Sequence, residues 1–238
     1  MCLLPYCSLF FALFQSAAQP PTALHATVRS DFVYLASTRT TAAEYWISGD
    51  KLYEKRGEQI RIDRRDLGLT WLIDPQKSSY TERKTPPDSP APPAAAQEDV
   101  HTLGFDHQPE FVWDVKETAE TQALHGRSCR LTVATGIAEF AETTLRLWFC
   151  PAAQENQRRL NDVLVGFSGI RYRGIAGFGA SQLKQRPDTA LLLMEDTTEP
   201  PIAPVMKRKM QVGTLETTAP PPGIFDVPPG YQKAPARP

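Results

Sequence analysis

Few residues of this chain have the types and spacing that chemistry needs. Beyond its first segment the histidines are His25, His101, His107 and His125. His101 and the pair Asp106-His107, with Asp99, could offer imidazoles and carboxylates to a divalent metal. Their spacing fits no ligand pattern, and there is no paired-His spacing for zinc, so no metal site is expected. Ser168, in Phe167-Ser168-Gly169, lacks the G-x-S-x-G elbow that lifts a nucleophile out of a strand-to-helix turn. The Gly-rich run 174–179 has the wrong order for a dinucleotide fingerprint and reads as a loop. With no nucleophile–base pair, metal set or cofactor motif, the chain is not expected to be an enzyme or to hold a cofactor. Lys207-Arg208-Lys209, flanked by Met206 and Met210, reads as the charged face of an edge strand. Its functional alternative is a contact for an acidic partner or a lipid headgroup.

The cysteines carry a different chemistry. Cys2 and Cys7 lie in an apolar leader, and Cys129 and Cys150 remain as an even pair. No C-x-x-C is present for redox work. An even pair in an exported chain predicts a disulfide. It would close a loop of about 22 residues and contribute roughly 3 kcal/mol on the chain-entropy account.

Export is read from the leader itself. Residues 3–14, LLPYCSLFFALF, are too short for a bilayer span, which takes about 20 residues, but suit the apolar core of a signal peptide. Ser16-Ala17-Ala18 supplies small residues for cleavage after Ala18, giving a signal peptide over 1–18. A cut after Ala26 is a poorer alternative because Leu24 would sit at −3. The leader has no Lys or Arg before Arg29, and Cys7 is not in a lipobox. A buried N-terminal strand or helix is the competing reading, opposed by Pro5 and Gln19-Pro20-Pro21. No later segment is apolar enough to cross a membrane, so a periplasmic or secreted protein is expected.

Composition narrows the rest. The 238 residues hold 26 Lys+Arg against 27 Asp+Glu. Such balance argues against a general nucleic-acid binder, which needs a basic excess. A hydrophobic share of 41% with 22% charged residues suits a globular domain and not wholesale disorder. The 22 prolines must sit in loops, edges and tails.

Hydrophobic periodicity then supplies the scaffold. Over 27–84 short alternating runs are joined by turn signals. Val28, Phe32 and Tyr34 share one face of a first strand; Ala43, Tyr45 and Ile47 share one face of a second. Gly49-Asp50 marks a tight turn before Leu52 and Tyr53. Ile60 and Ile62 alternate with Arg61 and Asp63, and Leu69, Trp71 and Ile73 with Thr70 and Asp74. Asp74-Pro75-Gln76-Lys77 has type I turn chemistry before a sixth strand over 79–82. This is a meander with one apolar, aromatic-rich face and one wet face. The Pro/Ala-rich stretch 85–98 breaks it and reads as an exposed, extended loop or linker, with a recognition peptide for a Pro-binding partner as the alternative.

Beyond the linker, 110–115, 130–134, 143–150, 190–195 and 204–217 read as strands. Two registers compete for the hairpin of 130–134 with 143–150. Cys129 facing Cys150 puts Leu131 opposite Trp148 and Val133 opposite Arg146. Apolar matching puts Leu131 opposite Phe149 and Val133 opposite Leu147. The two differ by one residue, which flips every side chain. Residues 153–168 have helical period, with Leu160, Val163, Leu164 and Phe167 on one face and Arg158, Arg159 and Asp162 opposite. That helix either packs on the sheet or forms a movable lid. Ile224 and Phe225 look like a last apolar anchor, Pro229-Gly230 a turn, and 234–238 a disordered tail.

Several motifs in this order are familiar: Tyr45-Trp46-Ile47-Ser48-Gly49-Asp50-Lys51, Leu69-Thr70-Trp71-Leu72-Ile73-Asp74-Pro75, then Lys77 and Tyr80, and finally Phe225-Asp226-Val227-Pro228-Pro229-Gly230-Tyr231. Together they resemble exported bacterial proteins of the LolA-like superfamily, in a branch catalogued as a domain of unknown function. The resemblance covers most of 27–233. It implies a mainly β (α+β) fold, an open antiparallel β-barrel or half-barrel with an amphipathic helix packed on its apolar concave face. The best-known members carry or sense lipoprotein acyl chains. The 85–98 insertion and the cysteine pair depart from the carrier.

The expected function is therefore a periplasmic binding protein for a lipid or lipoprotein acyl group. Candidates for the ligand-facing surface are Tyr45, Ile47, Leu69, Trp71, Leu131, Val133, Leu147, Leu164 and Phe167. The four tryptophans, Trp46, Trp71, Trp113 and Trp148, would either fill the core or line the pocket. The alternative function is a cell-envelope structural or sensory interaction module with a filled core, using a protein partner.

Overall fold

Turn chemistry sets the strand ends. Gly49 sits at φ +50° and Gly57 at +56°, the left-handed conformation that two-residue hairpin turns require. Asp74 accepts a hydrogen bond from the Lys77 backbone N–H at 3.2 Å, closing the turn that Pro75 opens. The computed structural model describes residues 22–85, 113–138, 141–152 and 188–235, with 156, 157, 159–161, 164 and 186 between them. The expected leader, nearly all of the 85–98 stretch, Asp99, His101, Asp106, His107, Val163, Phe167, Ser168 and the 174–179 run lie outside the described residues.

The strands are β1 (Ala23–Tyr34), β2 (Ser37–Ser48), β3 (Lys51–Arg56), β4 (Gln59–Arg64), β5 (Leu69–Asp74), β6 (Ser79–Lys84), β7 (Trp113–Leu124), β8 (Arg127–Ala138), β9 (Ala141–Pro151), β10 (Thr189–Glu199), β11 (Met206–Thr218) and β12 (Gln232–Lys233). They form one open sheet in the order β12-β6-β5-β4-β3-β2-β1-β11-β10-β9-β8-β7. Among the described strands only β12 on β6 is parallel. The expected meander is β1 to β6, and β11 returns beside β1. His125, at the tip of the β7–β8 turn, shares a hydrogen bond between its Nε2 and the Val212 carbonyl of β11 at 2.9 Å. Two strands lie between them in the sheet order, so the sheet curls on itself.

Four expectations change. First, β1 begins at Ala23, and Leu24 and Ala26 are fully buried. Cleavage after Ala26 would remove them, whereas the site after Ala18 leaves β1 whole. Second, β7 runs through Thr121-Gln122-Ala123 to Leu124, well past the expected 110–115. Its polar, helix-tolerant sequence is held extended by pairing with β8, a case of tertiary pairing overriding propensity. Third, the long amphipathic helix over 153–168 is replaced by a short one: 156–157, 159–161 and 164 are helical, with Leu160 and Leu164 buried. Fourth, Lys207-Arg208-Lys209 lies on β11, which is central and not an edge. Lys207 and Lys209 are exposed, while Arg208 turns toward Asp196 at 3.8 Å and over the Phe32 ring at 5.5 Å.

The large buried cluster joins Leu24, Val28, Tyr45, Ile47, Leu131, Leu145, Leu147, Trp148, Leu160, Leu164, Met194 and Met210. A small second cluster holds Ala23, Trp46 and Phe225, with Tyr53 and Ile224 packed against it. The C-terminal segment is thus an apolar anchor, as expected. Arg64 holds it through the Asp226 carboxylate at 2.7 Å and the Phe225 carbonyl at 3.4 Å.

Candidate functional site: a filled apolar cluster with a helix plug

Cys129 and Cys150 are disulfide-bonded, with Cα atoms 4.1 Å apart. The covalent bond selects the cysteine-facing register: Leu131 pairs with Trp148 and Val133 with Arg146. Apolar matching of Leu131 to Phe149 and Val133 to Leu147 does not occur. Leu131 and Val133 therefore point to the opposite side of β8–β9 from Leu147. Both sides are buried there, since Leu147, Trp148, Phe149 and Cys150 are all buried in succession.

The other candidates separate in the same way. Tyr45 pairs with Glu54, Glu54 with Arg61, and Arg61 with Leu72. Ile47 leads likewise through Leu52 and Asp63 to Thr70. Leu72 and Thr70 therefore share the face of Tyr45 and Ile47, while Leu69 and Trp71 lie on the reverse face and are half-buried. Tyr45, Ile47, Leu131, Leu147 and Leu164 meet in the large cluster, Val133 packs at its margin, and Phe167 lies outside the described residues.

The face carrying Tyr45 changes character along the sheet. It is apolar at β1 and β2 and charged at β3 and β4. Arg61 and Asp63, expected on a wet face, are buried and joined at 2.9 and 2.6 Å, and the Thr70 hydroxyl donates to Asp63 at 2.8 Å. Buried Glu54 accepts from Arg56 at 2.7 Å and from the Tyr45 hydroxyl at 3.3 Å. Burial, and then the charge of Glu54, pushes the Tyr45 phenol up, so it stays a neutral donor. These pairs satisfy charges that would otherwise be costly to bury. They wall off one flank of the apolar cluster.

Asp196 belongs to the Leu145–Arg208 row of the sheet. Burial pushes its carboxyl up to about 6, against the opposing pull of Arg208. Its Oδ2 has no hydrogen-bond partner among the described residues. On the reverse face, His25 stacks on Trp46 at 4.3 Å and lies between Glu216 at 3.0 Å and Glu44 at 3.2 Å. Among the described residues no group of three or more His, Cys, Asp or Glu is placed to hold a metal, and no helix is long and apolar enough to cross a membrane.

The short helix is seated by side chains that periodicity did not single out. Asn161 donates from Nδ2 to the Thr189 carbonyl at 2.8 Å and accepts from the Leu191 N–H at 2.9 Å. It serves the backbone of β10 beside the register shift between Leu191 and Leu193. Gln157 accepts from Arg127 at 2.6 Å, and Asn156 accepts from the Gly49 N–H at 3.2 Å. Three amides thus tie the helix to β10, to the start of β8 and to the β2–β3 turn. Their signal in the sequence was amides at 156, 157 and 161 beside an apolar helical stripe.

No family model and no curated protein matches this chain. Among solved structures it is similar to PNGF-II, with 7% identity and a TM-score of 0.35 over 89% of this chain. It spans only 30% of the length of that protein. It is similar to a DUF1329 family protein from Desulfovibrio piger, with 9% identity and a TM-score of 0.31, over 88% of this chain and 91% of the other. It is also similar to a domain described as an outer membrane lipoprotein-sorting protein from Vibrio parahaemolyticus, with 8% identity and a TM-score of 0.27, over 85% and 88%.

Proposed function

We propose that this chain is an exported, non-catalytic binding protein of the cell envelope that takes a lipid or lipoprotein acyl chain into its main apolar cluster. The short helix is the plug that the ligand displaces. The observation that carries the reading is the seating of that helix. Leu160 and Leu164 are fully buried among sheet residues, while the described polar ties are amide hydrogen bonds that water can replace. Re-exposing two leucines costs about 3–6 kcal/mol, and an acyl chain recovers about 0.8 kcal/mol per buried methylene. Roughly eight buried methylenes therefore offset the exchange. The disulfide supports an oxidising compartment.

The test is titration of the full chain with a fluorescent fatty acid, wild type against Asn161→Ala. Loosening the latch by about 1 kcal/mol should tighten the apparent affinity ~5-fold. Failure of both proteins to bind the probe would sink the reading.

The interaction-module reading has its own support. Tyr34, Leu35, Ile137, Ile202 and Val205 are exposed and lie at or beyond the ends of neighbouring strands at one end of the sheet, where Tyr34 pairs with Met206 and Gly136 with Thr143. Clustered exposed apolar residues mark contact surfaces. On this reading the cluster stays filled and those strand ends meet a protein partner.

A further inference from the structure

A cleft of about 260 Å³ lies over the strands β7 to β10, bordered by Thr189, the residue whose carbonyl accepts from Asn161 of the helix. The register puts its lining on one face. Ser128, Arg130 and Thr132 alternate along β8, Arg130 pairs with Phe149, and Glu117 pairs with Thr132. Arg186 covers the cleft, with its guanidinium 4.5 Å over the Phe149 ring and 2.6 Å from Glu117. Glu117 engages Nη2, whereas Nη1 is buried without a hydrogen-bond partner among the described residues. Arg130 is exposed and makes no ion pair among the described residues.

The cleft therefore presents two guanidiniums against one carboxylate, with the hydroxyls of Ser128 and Thr132 beside them. A buried guanidinium nitrogen left unpaired is costly and calls for a missing acceptor. Two arginines and two hydroxyls offer more donors than the two oxygens of a carboxylate can accept. A phosphate offers three oxygens to such donors, and arginine forks suit it. The volume exceeds that of the bare anion, and Phe149 supplies an apolar wall beside the charged groups.

We propose that this cleft binds the phosphate group of a small phosphomonoester, with Arg130 and Arg186 as the charge partners and Phe149 against the organic part. The cleft shares the Leu147 side of β8–β9, and its wall Phe149 belongs to the large cluster, but its charge partners Arg130 and Arg186 take no part in the apolar-ligand reading, so either can fail without the other.

The test is calorimetric titration of the full chain with inorganic phosphate, glycerol 3-phosphate and acetate, and co-sedimentation with vesicles of phosphatidic acid. Each is run on wild type and Arg130→Gln, an exposed position whose change should leave the fold intact. We expect saturable binding of glycerol 3-phosphate with a dissociation constant near or below ~1 mM, weakened ~10-fold in Arg130→Gln. Vesicle binding with the same Arg130 dependence and no binding of the soluble ester identifies a lipid headgroup as the source of the phosphate, which also supports the site. Acetate binding as well as phosphate, binding that Arg130→Gln leaves unchanged, or no binding of any phosphate probe overturns the proposal.

Discussion

Asp196 shows what the fold does to a single carboxyl. Its ordinary pKa of 3.8 rises to about 6 because burial penalises the charged form more than Arg208 stabilises it. The folded chain then holds the proton more tightly than the unfolded chain does. The stability cost of ionising Asp196 is therefore absent below the unfolded value, grows between the two values and is complete above the folded one. A shift of this size corresponds to roughly 3 kcal/mol. Between about pH 4 and pH 8, wild type should lose ~2–3 kcal/mol more stability than Asp196→Asn, measured by urea unfolding at each pH. Parallel profiles for the two proteins would remove Asp196 as the cause. Nothing in the sequence marked this residue, since Met194-Glu195-Asp196 reads as the end of a strand. Its burial follows from the pairing of β10 with β9 and β11, which is nonlocal. Arg61 and Asp63 were legible as alternating partners of Ile60 and Ile62, but not as a buried pair. Their burial depends on the covering of the face of β4 that they share with Tyr45 and Ile47.

At the scale of elements, the hairpin β8–β9 is where covalent and hydrophobic preferences disagree. The disulfide holds a register in which Leu131 meets Trp148 and Val133 meets Arg146. Replacing both cysteines by serine should cost about 3 kcal/mol in urea unfolding, and reductant should have no effect on that variant. A double variant as stable as wild type would show that packing alone sets the register. The hairpin and its disulfide were legible because strong alternation and an even cysteine pair are local signals. The choice of register was not, because both faces of the hairpin bury apolar side chains and apolar matching alone favours the pairing that the disulfide excludes. The turns at Gly49-Asp50 and Asp74-Pro75 were legible for the same local reason. β7 was not, since Glu117 to Gln122 carry no alternation and become a strand only by lying on β8. For the helix, the seat of Leu160 and Leu164 could be read, while its short length and its amide ties to β10 could not.

At the scale of the molecule, the apolar residues named from sequence divide across the sheet. Tyr45, Ile47, Leu131, Leu147 and Leu164 converge on one cluster, whereas Leu69 and Trp71 face away. Alternation places a residue on one of two faces, but it does not say which face curls inward, and curling decides the cluster. The same cluster decides between the two functions. A ligand carrier must exchange the helix leucines for acyl methylenes, and an interaction module keeps them. Native mass spectrometry on the full chain, recovered from the envelope of its own cell, followed by lipid extraction, reads that exchange directly. A co-purifying acyl species at about one per chain is the result expected of a pocket that buries one ligand. A protein that is recovered empty and takes up no added acyl lipid would contradict the carrier account and turn attention to the apolar strand ends at Tyr34, Ile137 and Val205.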